Sequence, residues 1–286
     1  MRDQEKVRKS VSEAYARAVT TEAGCGGGEA SKGVAARIAG YTRPELEALP
    51  ADAVVNSFGC GNPVAFSGIR EGETVVDLGS GAGMDLLLAG RKTGPTGRVI
   101  GVDMTDEMIA RARENIAHSG LRHVEVRKGI IEALPVESGT VDWVISNCVI
   151  NLSPEKPKVF AEIARVLKPG GRMLVSDIVA ENLPSWVLED PAMYASCISG
   201  AISEKDYVSG LRKAGLTDVE VRHRLVFAAD QVERLVESDL LAGDADAGPA
   251  GSTCCGGPSP RSLASRLSGE TAWKVASVSF FARKEG

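Results

Sequence analysis

The feature that most constrains this chain is a regular alternation of apolar strands and amphipathic helices. Short apolar runs that end in turn residues predict strands, and apolar residues that recur every three or four positions predict helices. The strands fall at residues 73–79, 97–103, 124–129, 141–146 and 172–179, and helices fall among them at residues 84–94, 106–120 and 157–171. This alternation is typical of βαβ units, so we expect a mostly parallel sheet with helices on both faces.

Further elements flank this core on both sides. They are a helix over residues 1–20, a glycine-rich break over residues 24–33, helical segments at residues 191–203 and 204–216, and strands at residues 218–227 and 273–284. We expect the two late strands to join the main sheet. The segment between them is rich in Gly, Ala, Ser and Pro, which is typical of a flexible loop or lid.

Net charge and hydropathy narrow the classes of partner. The 286-residue chain has a formal net charge of −5, whereas nucleic acid or an anionic membrane calls for a basic face. No apolar stretch approaches the roughly 18 residues that are needed to span a bilayer. The charged, amphipathic N-terminus lacks the apolar centre of a secretory signal. We therefore expect a cytoplasmic protein with neither nucleic acid nor membrane as a partner.

A glycine-rich loop, VVDLGSGAGMD, follows the first predicted strand and opens a predicted helix. Its glycines fall at Gly79, Gly81 and Gly83, whereas a GxGxxG fingerprint would place the last one at Met84. Such glycines allow a ligand to lie against the backbone, whose N–H groups are expected to point outward at the helix start. Asp103 ends the second strand, where a carboxylate can accept both hydroxyls of a ribose. Each feature also has a plain reading, as an ordinary strand-to-helix turn and a helix cap.

Six cysteines are the second unusual feature. They are Cys25, Cys60, Cys148, Cys197, Cys254 and Cys255. In a reducing compartment thiols are more often reduced, catalytic or metal-binding than joined in structural disulfides. No CxxC pair occurs, so the local spacing of a zinc finger is missing. Any of these cysteines could equally be a small buried core residue, and if they act together the fold must gather them from far apart.

Together with the motifs EALP and VLKPGG in the expected order, the glycine loop and Asp103 resemble the class I S-adenosylmethionine-dependent methyltransferases from about residue 70 to the end. The resemblance implies a Rossmann-like α/β sheet with S-adenosylmethionine at the loop. Asp77 would lie near the methionine ammonium, and Met104 and Ile131 would flank the adenine. Many relatives carry an acidic residue at the position of Ile130, and here Glu132 or backbone atoms could meet the adenine amine. The residues implied to bind the cofactor are Asp77, Gly79, Gly81, Gly83, Asp103, Met104, Ile131, Glu132 and Asn147.

The absence of an apparent general base near the predicted strand ends suggests which kind of methyl acceptor the chain binds. None of the three histidines, His118, His123 and His223, lies in an obvious active-site loop, so no general base is apparent. A soft acceptor needs no base. Trivalent arsenic binds thiolates, as other soft ions do, and keeps a lone pair that can attack a methyl group.

The motifs SFGCGNP, GVDMTDEMI, VISNCVINLSP, GGRMLVSDIV and CISGAIS resemble the arsenite methyltransferase family over nearly the whole chain. The match is weakest before residue 40 and between residues 228 and 270. By motif matching, Cys60, Cys148 and Cys197 fall on the arsenic-binding cysteines. Cys25 falls on a fourth catalytic cysteine, which in the family is thought to form a disulfide with the equivalent of Cys60. The resemblance implies methylation of arsenite, with methylarsenite as a further candidate substrate, for arsenic detoxification, and a glutathione- or thioredoxin-like thiol reductant for turnover.

We therefore predict three parts. They are an N-terminal helical segment with cysteine loops (1–69), a Rossmann-like S-adenosylmethionine-binding domain (70–180), and a C-terminal arsenic-binding region (181–286) with a flexible loop at about 241–269. Cys254 and Cys255 lie in that loop, as arsenic-capturing residues of a lid or as incidental exposed thiols. We expect a monomer.

Two other functions fit the same residues. One is a methyltransferase with an organic acceptor such as a sterol or quinone, in which the cysteines are incidental. The other is a non-catalytic metalloid-binding protein that keeps the methyltransferase fold. Zinc binding by three cysteines and a histidine is a weaker alternative, because no histidine occupies a recognisable ligand position.

Overall fold

A seven-stranded sheet organises the described part of the chain. The computed structural model describes residues 4–20, 36, 39–189, 194, 197–227 and 274–286. The strands are β1 (Thr74–Leu78), β2 (Arg98–Asp103), β3 (Val124–Lys128), β4 (Val141–Asn147), β5 (Leu167–Glu181), β6 (Leu216–Val226) and β7 (Lys274–Lys284). Their spatial order is β3-β2-β1-β4-β5-β7-β6. The pairs from β3 to β5 are parallel, and β7 lies antiparallel between β5 and β6. The predicted Rossmann-like α/β fold is confirmed.

Helices connect the parallel strands and cover the sheet. The helices of the described residues are α1 (Gln4–Thr20), α2 (Arg43–Glu47), α3 (Ala51–Val55), α4 (Pro63–Ser67), α5 (Met84–Thr93), α6 (Asp106–Ser119), α7 (Lys156–Val166), α8 (Ser185–Glu189) and α9 (Glu204–Lys213). A 3₁₀ turn, Ile150–Leu152, follows β4. None of the helices in these described ranges is long and apolar enough to cross a membrane.

Two apolar layers hold the helices against the sheet. On one face Tyr207 of α9 stacks on Phe280 of β7, with ring centroids 4.2 Å apart, and Phe160 of α7 packs beside them. On the other face Trp143 of β4 packs with Phe281 of β7. The central strands β1 and β4 are mainly apolar because both of their faces are covered, and their buried polar residues Asp77 and Ser146 lie near the carboxyl ends.

Most predicted boundaries agree with the structure to within two or three residues, and two do not. The helix predicted over 157–171 ends at Val166, and β5 already begins at Leu167. Pro169 and the two glycines after it are poor helix formers, so the chain enters the sheet earlier than its apolar period indicates. In the segment predicted as a helix over 191–203, Tyr194 is helical, whereas residues 197–203 form a turn and an isolated bridge.

The strand order creates a crevice at one edge of the sheet. The chain passes from β1 outward through β2 to β3 and then returns to place β4 on the other side of β1. The loops that follow β1 and β4 therefore diverge, and ligands of open α/β sheets bind at such a switch point. The three-part division at residues 69 and 180 stays a prediction, and the loop predicted at about 241–269 lies outside the described residues.

Candidate active site

A cavity lies at the carboxyl ends of β1, β2 and β4, and α1 forms one of its walls. Its volume, measured as the space open to the centre of a water molecule, is about 120 Å³. Nine of the predicted residues line it: Asp77, Gly79, Gly81, Asp103, Met104, Ile131, Glu132, Asn147 and Cys148. Gly83 is not among the lining residues and is the N-cap of α5.

The glycine loop is folded against β2. The N–H groups of Gly79 and Ser80 donate to the Val102 carbonyl, at 2.8 and 3.2 Å. The N–H of Gly81 donates to Asp103 Oδ2 at 2.9 Å. These three N–H groups therefore satisfy the end of the neighbouring strand, while the expectation about the N–H groups at the start of α5 stays a prediction. Gly79 has a φ of +64°, and a Cβ there would lie 2.5 Å from the Val149 side chain, so this position requires glycine.

Asp103 is oriented by the backbone around it. Oδ2 accepts the Gly81 N–H, and Oδ1 accepts the Thr105 N–H at 2.9 Å. Burial raises the pKa of Asp103, and these N–H donors act in the opposite direction. Hydrogen bonds from the Met104 backbone and the Thr105 side chain also lower the pKa of Asp103, so protein donors hold the carboxylate in a fixed orientation at the cavity.

Asp77 is the clearest sign of a cationic ligand. It is buried at the end of β1, and within the described residues its Oδ2 has no hydrogen-bond partner. Burial raises the pKa of Asp77 well above its ordinary value, and the charges of Asp85 and Asp103 raise it further. A buried carboxyl oxygen left without a partner is costly, and an ammonium group in the cavity would satisfy it. The residues present therefore fit S-adenosylmethionine.

Glu132 is already engaged within the protein. Its Oε1 accepts the Ser153 hydroxyl at 2.6 Å and pairs with Arg8 Nη2 at 3.2 Å. The same Arg8 nitrogen pairs with Glu155 Oε2 at 2.8 Å. Arg8 belongs to α1 and lines the cavity, so this ion pair fastens the helix over the site. No feature of the sequence pointed to Arg8, because its partners lie more than a hundred residues away.

The side chain of Asn147 is committed to its own surroundings. Oδ1 accepts the N–H groups of Cys60 and Gly61, at 3.0 and 3.1 Å. Nδ2 lies 2.7 Å from the Gly61 carbonyl, 2.9 Å from Tyr41 Oη and 3.0 Å from Asp85 Oδ2. Asn147 lines the cavity, as predicted, but all its hydrogen-bonding capacity is directed at the protein.

Asp85 and Tyr41 belong to the site, although the sequence analysis did not predict them as site residues. Tyr41 Oη donates to Asp85 Oδ1 at 2.6 Å, and both side chains are buried. Burial raises the pKa of Asp85 to about 6, although the hydrogen bonds from Tyr41 and Asn147 lower it. A signal for Asp85 was present, since it is a second acidic residue inside the motif VVDLGSGAGMD. Tyr41 had no signal of that kind.

Three of the four predicted catalytic cysteines come together. Cys60 and Cys148 form a disulfide with their Cα atoms 5.8 Å apart, and the Cys197 thiol donates to the Cys148 carbonyl with Sγ 2.8 Å from the oxygen. All three are buried in one apolar cluster. Cys148 and Cys197 have φ values of +58° and +62°, a conformation that non-glycine residues rarely adopt and that recurs at functional sites.

The disulfide differs from the pairing that the family resemblance implied. Cys60 is bonded to Cys148 rather than to Cys25, and Cys25 lies outside the described residues, as do Cys254 and Cys255. In the described part of the chain no group of three or more His, Cys, Asp or Glu side chains is arranged as a metal site. The assignment of Cys60, Cys148 and Cys197 to arsenic therefore stays a prediction.

The histidines lie away from the cavity. His118 contacts the Glu114 carbonyl at 2.8 Å, His123 contacts the Gly90 carbonyl at 2.8 Å, and His223 stacks on Phe66. None of the three lines the site. The described residues thus place carboxylates and Cys148, but no imidazole, around the cavity.

The strand order, the glycine loop and the carboxylates at the strand ends define a class I S-adenosylmethionine-dependent methyltransferase fold. A family described as "Methyltransferase domain" matches residues 69–215. The arsenite methyltransferase of Halobacterium salinarum is 43% identical over 77% of this chain and 60% of its own. That of Aquipseudomonas alcaligenes is 36% identical over 62% of this chain and 53% of its own.

A solved structure agrees with these relatives. The crystal structure of an arsenic(III) S-adenosylmethionine methyltransferase from Chlamydomonas reinhardtii superposes with a TM-score of 0.61 at 30% identity, over 88% of this chain and 74% of that one. The chain belongs to the arsenite methyltransferase family. It spans between 53% and 60% of the length of the two curated relatives.

Proposed function

We propose that the protein methylates trivalent arsenic held by Cys60, Cys148 and Cys197, with arsenite and methylarsenite as substrates and arsenic detoxification as the role. The observation that carries the proposal is the position of Cys148. It lines the cofactor cavity and is also in contact with both other cysteines. A substrate bound there faces the donor across the cavity.

The cofactor assignment rests on Asp77 and Asp103. Asp77 offers a buried oxygen without a partner to an ammonium group, and Asp103 offers a carboxylate that protein donors hold in a fixed orientation at the cavity. When bound, S-adenosylmethionine supplies an electrophilic methyl group that a lone pair on arsenic can take up. The protein contributes position, because holding both reactants in line replaces a bimolecular encounter by an intramolecular one.

In this proposal the cysteine cluster binds the arsenic and orients its lone pair. Three thiolates displace the hydroxyl groups of arsenite and leave the arsenic lone pair exposed, and thiolates are ligands that soft ions prefer. The surrounding side chains, including Val11, Leu152 and Ile178, are buried and apolar, so water is excluded. No general base is required, which agrees with the absence of histidine among the lining residues.

Turnover in this proposal needs a thiol reductant. Cys60 and Cys148 cannot bind arsenic while their sulfur atoms are bonded to each other. Methyl transfer raises arsenic formally to the pentavalent state, and two electrons from a thiol pair restore the trivalent state while a disulfide forms. A cellular thiol reductant, either glutathione-like or thioredoxin-like, then reduces that disulfide by thiol–disulfide exchange. We place the reaction in the cytoplasm, which keeps thiols reduced, and take a monomer as the working unit.

The test compares product formation with and without arsenite. Purified protein is incubated with S-adenosylmethionine and a thiol reductant, and S-adenosylhomocysteine and methylated arsenic are quantified. We expect both products to depend on arsenite and to fall at least about 100-fold in Cys148→Ser, the scale of losing an essential group. Binding of S-adenosylhomocysteine to that variant, measured by calorimetry, is the control for folding.

The alternatives give different results in the same assay. Turnover without arsenite on an organic substrate would favour the methyltransferase with an organic acceptor. Arsenic binding without S-adenosylhomocysteine would indicate a metalloid-binding protein. Either outcome would remove the proposed function and leave the fold assignment intact.

A further inference from the structure

Asn147 is the residue at which the cofactor cavity and the cysteine cluster meet. It is the last residue of β4 and directly precedes Cys148. A side-chain amide has two acceptor lone pairs and two N–H donors. Both lone pairs face backbone N–H groups, and three acceptors surround the two N–H donors. No capacity remains for a ligand, so the amide acts through other residues.

One side of Asn147 holds the Cys60 loop. The amide binds the N–H of Cys60 and both the N–H and the carbonyl of Gly61. A Cβ on Gly59 would lie 2.2 Å from Asn147 Nδ2, so glycine is needed for this close approach. From the opposite side Ser277 Oγ donates to the Cys60 carbonyl at 2.8 Å. The loop is thus fixed between two strands, with Cys60 beside Cys148.

The other side of Asn147 reaches the wall of the cofactor cavity. Nδ2 lies 3.0 Å from Oδ2 of Asp85, which itself lines the cavity and receives the Tyr41 hydroxyl on Oδ1. The charge of Asp85 also acts on Asp77. A cation next to Asp77 relieves the repulsion between these two carboxylates, and an ionised acceptor binds its donors more strongly than a neutral one.

We propose that Asn147 is a positioning residue that couples cofactor binding to the placement of the Cys60 thiol. A cationic ligand at Asp77 strengthens the contact between Asp85 and Asn147, and the same amide holds the Cys60 loop against β4. The role in catalysis rests on the proposed function, but the coupling itself requires neither arsenic nor turnover. Cys60 is not one of the residues that line the cavity, but Phe58 and Gly59 of the same loop are. Variants of Asn147 are therefore needed to separate transmission through the amide from direct contact between ligand and loop.

Thiol alkylation measures this coupling directly. Fully reduced protein is treated with iodoacetamide, with and without saturating S-adenosylhomocysteine, and alkylation of Cys60 is followed by peptide mass spectrometry. In the wild type we expect the ligand to slow Cys60 alkylation about tenfold, which corresponds to roughly 1.4 kcal/mol of coupling. In Asn147→Ala we expect rapid alkylation that the ligand no longer changes.

Two further variants separate this role from a general loss of structure. Asn147→Asp keeps an acceptor for the Cys60 and Gly61 N–H groups and loses the donor to Asp85. It should keep the slow alkylation of ligand-free protein but lose the response to ligand, and it decides the question if Asn147→Ala does not fold. Thr93→Val is the control, because Thr93 is a buried polar residue of α5 whose hydroxyl donates to the Gly90 carbonyl, and neither residue lines the cavity. It should behave as the wild type.

The results distinguish this inference from the proposed function. If wild-type Cys60 responds to S-adenosylhomocysteine but no arsenic is methylated, the coupling stands and the proposed function fails. If arsenic is methylated, we expect the KM for arsenite to rise about tenfold in Asn147→Asp with a smaller change in kcat, as a loss of positioning predicts. Protection of Cys60 by ligand that is equal in the wild type and both Asn147 variants would overturn the inference.

Discussion

The two halves of the site are built at different ranges along the chain. The cofactor half comes from consecutive elements, β1, the glycine loop and β2, with Asp77 and Asp103 at the two strand ends. The cysteine half joins residues that lie far apart, since Cys60 and Cys148 alone are separated by 88 positions. Spacing within a motif describes the first half well. The second half exists only once the sheet has formed.

The two halves also differ in how far the hydrogen-bonding groups of their side chains already have partners within the protein. Asp77 keeps an oxygen without a partner among the described residues, which marks the cofactor half as a binding surface. In the cysteine half the thiols and amides are already bonded to one another. A ligand can therefore enter the first half directly, whereas the second must first be opened by reduction.

The contact between Gly79 and Val149 joins the two halves and gives the largest expected effect on stability. In Gly79→Ala the new Cβ would lie 2.5 Å from Val149, which follows Cys148, and the residue would keep a φ of +64°. We expect the free energy of unfolding to fall by about 2–4 kcal/mol, from left-handed strain and overpacking together. Urea unfolding of the reduced protein measures the loss.

The matched control for this variant is Gly139→Ala. Gly139 has a φ of +68°, but a Cβ there would meet nothing within 4 Å. It should cost about 1 kcal/mol, from the backbone conformation alone. Equal losses in the two variants would show that the contact between the halves contributes nothing.

A buried carboxylate behind the cysteine half predicts a pH dependence. Burial raises the pKa of Asp177 to about 7, while Lys156 and nearby hydrogen-bond donors lower it. In the unfolded chain an aspartate titrates near about pH 4. The folded state keeps the proton longer, so the stabilising contribution is present below about pH 4 and is lost as the pH rises to about 7, by up to about 1.4 kcal/mol per pH unit. Asp177→Asn should lack this loss.

The measurement is the free energy of unfolding of both proteins between pH 5 and 8. The wild type should lose stability relative to Asp177→Asn up to about pH 7 and then run parallel to it. Asp106→Asn is the control, because Asp106 is exposed on α6 and should follow the wild type. Parallel curves for wild type and Asp177→Asn over the whole range would contradict the assignment.

The smallest expected effect is on the rate of ligand dissociation and concerns the attachment of α1 to the cofactor half. Arg8→Gln removes the ion pairs that fasten α1 to Glu132 and Glu155. The Arg8 side chain is 22% exposed, so its ion pairs are partly screened by solvent, and we expect S-adenosylhomocysteine to dissociate only about threefold faster. The difference from wild type should shrink as salt is added, since salt screens exposed charges.

Lys9→Gln is the control for Arg8→Gln. Lys9 is exposed on the same helix and pairs only loosely with Glu13, at 3.9 Å. Stopped-flow dissociation should leave this variant equal to the wild type. Equal acceleration in both variants would mean that the charge of α1, rather than its attachment, controls ligand release.

The sequence by itself determined the parallel α/β core and much of the cofactor half. Apolar runs of the right length specify buried strands, and the positions of Gly79, Asp77 and Asp103 follow from local strand, loop and helix geometry. The direction of the loop N–H groups did not follow, because they bond to the end of β2, a strand that the pattern does not place beside them.

Only the tertiary structure decided which groups meet. It joined Cys60 to Cys148, brought Cys197 to the Cys148 carbonyl, and placed Arg8 against Glu132. It also placed the Asn147 amide in contact with both Cys60 and Asp85. The physical reason is that hydrogen bonds and disulfides require close approach in space. Periodicity describes the surroundings of each residue along its own strand or helix but not its neighbours across the sheet.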